Sequence, residues 1–299
     1  MKYVSAVFFF FICLNLKAQN EDSLEYWRKS IELDEFMVTA PRSSFDIDFF
    51  IKLMLKDSSL LKAFQELKFN NHNAYHHCTL HDKKWIKKEE LEGRTNHQFN
   101  YGCGDTKWLD LHTSKNYYKD KREPRSFTAK MYEKVFVRIG RFCSELINQK
   151  SNNKQLYYSE LKNFVFRPGH NSNIPFIGRK LAVFSNEMRN AYHFKLGRKE
   201  ENGTFSYVFE VTEKEKYFFT QTVIKKMVTV FDASTLEVKS RTLNAAYSNS
   251  LYSFDVNMRL ELKEINGSYL PSRVSYRGWY DVAFKPTERA TFEVKYFYQ

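Results

Sequence analysis

In the last third of the chain, apolar and polar residues alternate one for one. Tyr252, Phe254, Val256, Met258, Leu260 and Leu262 are interleaved with Asp255, Asn257, Arg259, Glu261 and Lys263. Period two over such a length predicts a long strand with one buried face. Asn266-Gly267 follows, a pair suited to a two-residue hairpin turn in which both residues take positive φ. The return strand carries Leu270, Val274, Tyr276, Tyr280, Val282 and Phe284 on one face and Arg273, Arg277 and Asp281 on the other. Two more hairpins precede it. Val223 to Phe231 and Val238 to Tyr247 flank Asp232-Ala233-Ser234-Thr235, while Tyr192 to Leu196 and Phe205 to Val211 flank Glu200-Glu201-Asn202-Gly203. Phe292, Val294, Tyr296 and Tyr298 make a final strand.

Nearer the start the period changes. From Asp46, the residues Ile47, Phe50, Ile51, Met54 and Leu55 recur at helical spacing. Asp57-Ser58-Ser59 interrupts that face and caps a second helical piece bearing Leu60, Leu61, Phe64 and Leu67. Residues 19–31 are polar and helix-compatible, and 33–40 reads as a short strand stopped by Pro41. Beyond Phe69 the pattern is mostly of strands, among them Val135 to Phe142, closed by Cys143. A sheet with one apolar face must curl on itself or be covered by helices. The expected fold class is therefore α+β: a large, curved antiparallel sheet, a half-open barrel, with N-terminal helices packed on it. The expected domains are a helical segment at 19–70 and a β-rich domain at 71–299, after a signal peptide at 1–18.

That signal is read from Met1-Lys2, a positive start, followed by the apolar run Tyr3 to Leu16 and the small residue Ala18, after which cleavage is expected. The apolar core holds about 14 residues, short of the ~20 that a membrane helix needs. No later segment is long and apolar enough to span as a helix, so the mature chain is expected to lack a transmembrane helix. The formal charge of +12 falls to +10 when Lys2 and Lys17 leave with the signal. Outside the cytoplasm the polyanions on offer are lipid headgroups, lipopolysaccharide and acidic glycans, so nucleic acid is not an expected partner. The run Lys83-Lys84-Trp85-Ile86-Lys87-Lys88 reads as a solvated hairpin tip or, alternatively, as a contact for an anionic membrane surface. Composition agrees with long strands: 17% of residues are aromatic, including 28 Phe and 19 Tyr, against only 10 Gly and 6 Pro. Three cysteines remain after processing, and in an oxidising compartment one pair plus one leftover is expected. Cys103 in a turn-like Tyr-Gly-Cys-Gly-Asp and Cys143 at the end of a strand-like run are the favoured disulfide, which leaves Cys78 buried or free.

Two stretches carry a resemblance. Leu33-Asp34-Glu35-Phe36-Met37-Val38-Thr39-Ala40-Pro41-Arg42 resembles the strand that opens the plugs of TonB-dependent receptors and recurs in exported carboxypeptidase-regulatory-like proteins, although no receptor-sized barrel follows. From about 190 to 298, Val228-Thr229-Val230-Phe231-Asp232, Thr235-Leu236-Glu237-Val238 and Asn266-Gly267-Ser268-Tyr269-Leu270-Pro271-Ser272 resemble the curled sheet of the lipoprotein-localisation factors LolA and LolB and their exported relatives of unknown function. The resemblance implies a half-open barrel whose concave apolar face holds an acyl chain under a helical lid, and it brings no catalytic residue with it.

The candidate chemistry is sparse. On a strand, His72, His76 and Cys78 would share one face, and His77 and His81 the other. His76 and Cys78 are two metal-ligand types, but no partner motif supplies a third and fourth, so no metal is expected and these histidines read as exposed strand residues. Cys78 lacks an oxyanion loop and an orienting third group, and no paired-carboxylate, G-x-S-x-G or H-E-x-x-H signature is present. No catalytic residue and no cofactor are assigned. Arg273, Arg277 and Trp279 form either an exposed stripe or a cation–π surface. The expectation is a non-enzymatic periplasmic or outer-membrane-associated protein that binds a hydrophobic or lipid-like ligand. Tyr252, Phe254, Val256, Met258, Tyr276 and Tyr280 would line the ligand-binding face, unless a helix fills the cup and makes them ordinary core. A structural adaptor docking on an outer-membrane complex is the alternative, and an outer-membrane barrel is disfavoured by the helical N-terminal third.

Overall fold

The computed structural model describes residues 46–119, 123–143, 166–167, 169–174, 176–201, 203–215 and 222–298. All of the described residues fall in one compact unit. The expected signal peptide, the polar segment 19–31 and the strand at 33–40 lie outside the described residues.

Two short helices open the described part. Helix α1 (Ile47–Lys56) is capped by Asp46, whose side chain accepts from the Phe49 amide at 2.6 Å. Helix α2 (Ser59–Glu66) begins where Asp57 accepts from both the amide and the hydroxyl of Ser59, at 2.9 and 2.6 Å. The helical face read from the sequence is the buried one: Phe50, Ile51 and Met54 in α1, Leu60 and Ala63 in α2. A 3-10 turn, Leu67–Phe69, leads into the sheet.

The sheet has eleven described strands: β1 (His72–His81), β2 (Lys87–Asn100), β3 (Cys103–Thr113), β4 (Gly140–Cys143), β5 (Tyr192–Glu201), β6 (Thr204–Glu213), β7 (Ile224–Asp232), β8 (Val238–Ser248), β9 (Tyr252–Ile265), β10 (Ser268–Val282) and β11 (Glu288–Tyr298). Their order is β4-β3-β2-β1-β11-β10-β9-β8-β7-β6-β5, every neighbouring pair is antiparallel, and β4 and β5 are unjoined edges. This is the open antiparallel sheet with helices on one face that the alternation predicts. The β9–β10 turn places Asn266 at φ 52° and Gly267 at φ 79°, as a two-residue hairpin requires. Register slips between β1 and β2, β2 and β3, β7 and β8, and β9 and β10 interrupt regular pairing. Such slips bend and twist strands, and the last falls at Pro271, which has no amide to give the ladder.

One expected strand is a helix. Phe127–Tyr132 forms α3, which runs on into a π-helical turn, Glu133–Val137, and only Gly140–Cys143 pairs with the sheet. Consecutive Phe136 and Val137 are both buried. A strand would send one of them outward, whereas a helical turn turns both in. The start of α3 is held by Ser126 and by Glu288 of β11, whose carboxylate accepts from the amides of Phe127 and Thr128. Phe284, expected on the inner face, lies instead in the turn after β10, exposed and at φ 65°.

The helical pair is fastened to the sheet by a buried ion pair. Arg241 of β8 donates to the Asp57 carboxylate at 3.0 Å, to Thr229 Oγ1 of β7 at 3.1 Å and to the Phe166 carbonyl at 3.0 Å, with side-chain exposures of 1% for Arg241 and 4% for Asp57. Removing one partner of such a pair leaves a charge without compensation, which costs about 3–5 kcal/mol, whereas exchanging both for apolar groups is often neutral. Asp57→Ala is therefore expected to lower unfolding stability by about that amount in urea titrations, and Asp57→Ala/Arg241→Met to recover most of it. Equal losses in single and double variants would show that the charge is not the constraint.

A candidate ligand site on the inner face

Cross-strand register places the six expected ligand-face residues together. Tyr252, Phe254, Val256 and Met258 alternate along β9; Tyr276 lies opposite Met258, and Tyr280 opposite Phe254. All six are half-buried. Their rings are engaged by neighbours: Tyr276 stacks on Phe292 at 4.6 Å, Tyr280 meets Phe127 of α3 at 5.4 Å, and Tyr252 meets Phe176 at 6.2 Å. This half of the face is largely covered.

The same face continues through β11, β1 and β2, and there it encloses space. A cavity of about 280 Å³ lies between α2, the π-helical turn and the sheet. Its roof is Leu61, Phe64 and Leu67, one wall is Val135, Phe136 and Val137, and its floor is Ala74, Thr95, Thr106, Tyr296 and three histidines, His72, His76 and His97. Phe64 packs within ring-contact range of Phe166, Phe136 and Tyr296. Phe142 of β4 closes the far wall, stacked parallel to His97 at 5.9 Å. That stack needs Gly104 beside it, since a β-carbon there would lie 2.3 Å from the Phe142 ring. The expected disulfide is present: Cys103 and Cys143 face each other across β3 and β4 and are bonded, which fixes the strand that carries Phe142. A disulfide of this kind points to an exported protein.

The histidines are not exposed, contrary to the expectation from sequence. His72 and His76 share the inner face of β1 with Ala74 and Cys78, His97 lies opposite His72 on β2, and all three are buried under α2 and the π-helical turn. His97 pairs with the Lys68 carbonyl at 2.9 Å through Nε2 and with Thr106 Oγ1 at 2.8 Å through Nδ1. A carbonyl only accepts, so in the neutral ring Nε2 carries the proton and Thr106 donates to Nδ1. By the same logic His72 is protonated on Nδ1, which faces the Asn70 carbonyl at 2.7 Å. His76 sits between Thr95 Oγ1 at 3.0 Å and the Tyr132 hydroxyl at 3.2 Å. Burial holds His72 down at about 4 and His76 at about 3, so both are neutral near pH 7. Among the described residues no group of three or more His, Cys, Asp or Glu side chains is arranged to hold a metal. Cys78 is free and fully buried, and burial pushes its thiol up to about 12, so it is not poised as a nucleophile.

The outer face accounts for the other sequence features. Arg277 stacks over Trp85 at 3.8 Å, and Arg273 pairs with Glu293, so two of the three residues in the expected stripe are engaged. The lysine-rich run is a hairpin tip, its turn tied by Asp82 to the amides of Lys84 and Ile86. Sequence reasoning missed Arg241 and the cavity. The signal for Arg241 was its parity, two residues before Leu243 on an alternating strand; the cavity had none, because it depends on where α2 ends.

No family model and no curated protein matches the chain. Among solved structures it is similar to a LolA superfamily protein of Nitrosomonas europaea (11% identity, 81% of this chain and 92% of that one, TM-score 0.23). It is also similar to a domain from Vibrio parahaemolyticus named for outer membrane lipoprotein sorting (11%, 84% and 88%, 0.24) and to a DUF1329 family protein of Desulfovibrio piger (9%, 83% and 93%, 0.25).

The buried histidines set a pH dependence. An unfolded histidine titrates near 6.5, so as pH falls below that value the unfolded chain binds protons that folded His72 and His76 refuse, and stability declines. The decline runs down to about pH 4 for His72 and about 3 for His76, at roughly 1.4 kcal/mol per pH unit per group. Glu133, which burial raises to about 7, acts in the opposite sense above its ordinary value of 4.5. The histidine contribution is therefore isolated by comparing wild type with His76→Gln in denaturant titrations between pH 4 and 7. The variant is expected to show a shallower loss toward acid, and parallel profiles would contradict the assignment.

Proposed function

We propose that this is an exported, non-catalytic protein that binds or carries a hydrophobic, lipid-like ligand on the inner face of its sheet. The observation that supports this reading is the cavity under α2. Its roof and wall are apolar, and its volume of about 280 Å³ is nearly twice the roughly 150 Å³ that accommodates benzene in a protein interior. It lies near the lower end of small-molecule sites, which are typically apolar with a few placed polar groups. The second half of the same face, Tyr252, Phe254, Val256, Met258, Tyr276 and Tyr280, belongs to the proposal as the wall along which a longer chain continues. Export through a signal at residues 1–18 cleaved after Ala18, to the periplasm of a diderm bacterium, completes the reading, and the disulfide supports it.

Protein recovered from a periplasm should have an intact mass beginning at Gln19, and in native mass spectrometry it should carry a stoichiometric apolar adduct. Ala74→Leu, which fills the cavity floor, is expected to abolish the adduct at a stability cost of about 1–3 kcal/mol. Phe254→Lys should spare an adduct short enough for the cavity alone and displace one whose chain runs on along the β9–β10 wall. The reverse pattern would move the ligand to the β9–β10 half, and a bare polypeptide mass from repeated preparations would end the carrier reading.

A further inference from the structure

The cavity is one-sided in charge. Lys68, in the turn after α2, and Arg138, at the end of the π-helical turn, both belong to its lining, whereas none of the lining residues is Asp or Glu. Among the described residues neither cation has an acidic partner. Arg138 is exposed and Lys68 half-buried, so together with exposed Gln65 they mark the mouth. Burial, and secondly the charge of Arg138, push the Lys68 ammonium below its ordinary range. Two like charges beside a partly dry cavity repel each other and lose hydration, a cost that an anion between them would remove. The backbone adds a second sign. Arg138 holds the left-handed conformation at φ 46°, sparsely populated for a residue with a β-carbon, and that turn places its side chain at the cavity instead of continuing the helix. Tyr296, also in the lining, keeps a buried hydroxyl with no hydrogen-bond partner among the described residues.

We infer that the cavity takes a single-chain amphiphile with an anionic head, a carboxylate or a monoalkyl phosphate, with its chain under Phe64 and its head between Lys68 and Arg138. This rests on the carrier reading above and names its ligand class. Scaled from the benzene-sized cavity, the volume holds roughly ten to twelve carbons, which suits one medium alkyl chain and not two long ones.

The test is calorimetric titration of the delipidated mature protein with four ten-carbon probes: decanoate, decyl phosphate, decanol and decylamine. Decanoate or decyl phosphate is expected to bind about tenfold tighter than decanol, and decylamine more weakly than decanol. Whichever anion shows the preference identifies the head. Raising salt from 50 to 500 mM should shrink the preference, because the charges at the mouth are partly solvated. Lys68→Gln and Arg138→Gln should each bring the affinity for the anion close to that same variant's affinity for decanol. Equal binding of decanol and the anions by wild-type protein would overturn the head-group inference and leave the carrier reading standing; no binding by any of the four would overturn both. The ranking and its salt dependence on wild-type protein decide the matter even if a variant does not fold.

Discussion

The arrangement of the whole inner face depends on the burial of Arg241. Period-two alternation commits β8 to turning Arg241, Leu243 and Ala245 toward the same side, so a guanidinium is carried into the core together with aliphatic neighbours. Removed from water, that charge must be met, and the carboxylate that meets it sits at the junction of α1 and α2. Asp57 also accepts from Ser59, so one side chain ends the first helix, starts the second and fixes where both cross the sheet. A purely apolar contact would let the helices slide; a charge with a single matching partner does not.

The position so fixed explains why one half of the face is full and the other is hollow. With Asp57 over β8, α1 lies toward β6 and β7, where Phe50 packs among Tyr207, Phe209 and Phe231. Helix α2 runs the other way and brings Phe64 to Tyr296 of β11, but it ends at Glu66, before β1 and β2 are covered. The π-helical turn closes over what remains without filling it. Those inner strands carry histidine and threonine where β7 and β8 carry Met, Leu and Ala; each imidazole meets a carbonyl or hydroxyl, and burial keeps His72 and His76 neutral. The floor is thus polar in its atoms, and the Lys and Arg of the lining stand at the mouth.

Much of the fold was legible because alternation is a local property. The β9–β10 hairpin, the β7–β8 and β5–β6 pairs and the helical face from Ile47 to Leu55 follow from spacing and turn residues alone, and the register then brings Tyr252, Phe254, Val256 and Met258 to one side with Tyr276 and Tyr280. What failed was decided by neighbours distant in sequence. Val135 to Val137 looks like strand until the buried pair Phe136 and Val137 is seen to have its core on one side only. His72 and His76 look exposed until α2 and the π-helical turn are seen to lie over their face of β1. The emphasis on the β9–β10 half of the face was reasonable for a bare sheet, but the emptiness of a face is set by its cover, and here the cover is the helical pair together with a segment that reads as strand.

The disulfide ties this architecture to its compartment. Strand β4 pairs over only four residues at the open edge of the sheet, a length that is marginal by itself, yet it supplies Phe142, the far wall of the cavity. Cys103 and Cys143 sit at the register position next to Gly104 and Phe142, so the covalent bond holds that ring against His97 where four residues of ladder would fray. Closing a loop with a sequence separation of 40 removes an unfolded-state entropy worth about 4 kcal/mol in the chain-entropy model, more than such a short ladder supplies. A reducing compartment would leave the same sequence with an untethered edge and an open-ended cavity. Enclosure of the site therefore depends, through these two cysteines, on an oxidising compartment.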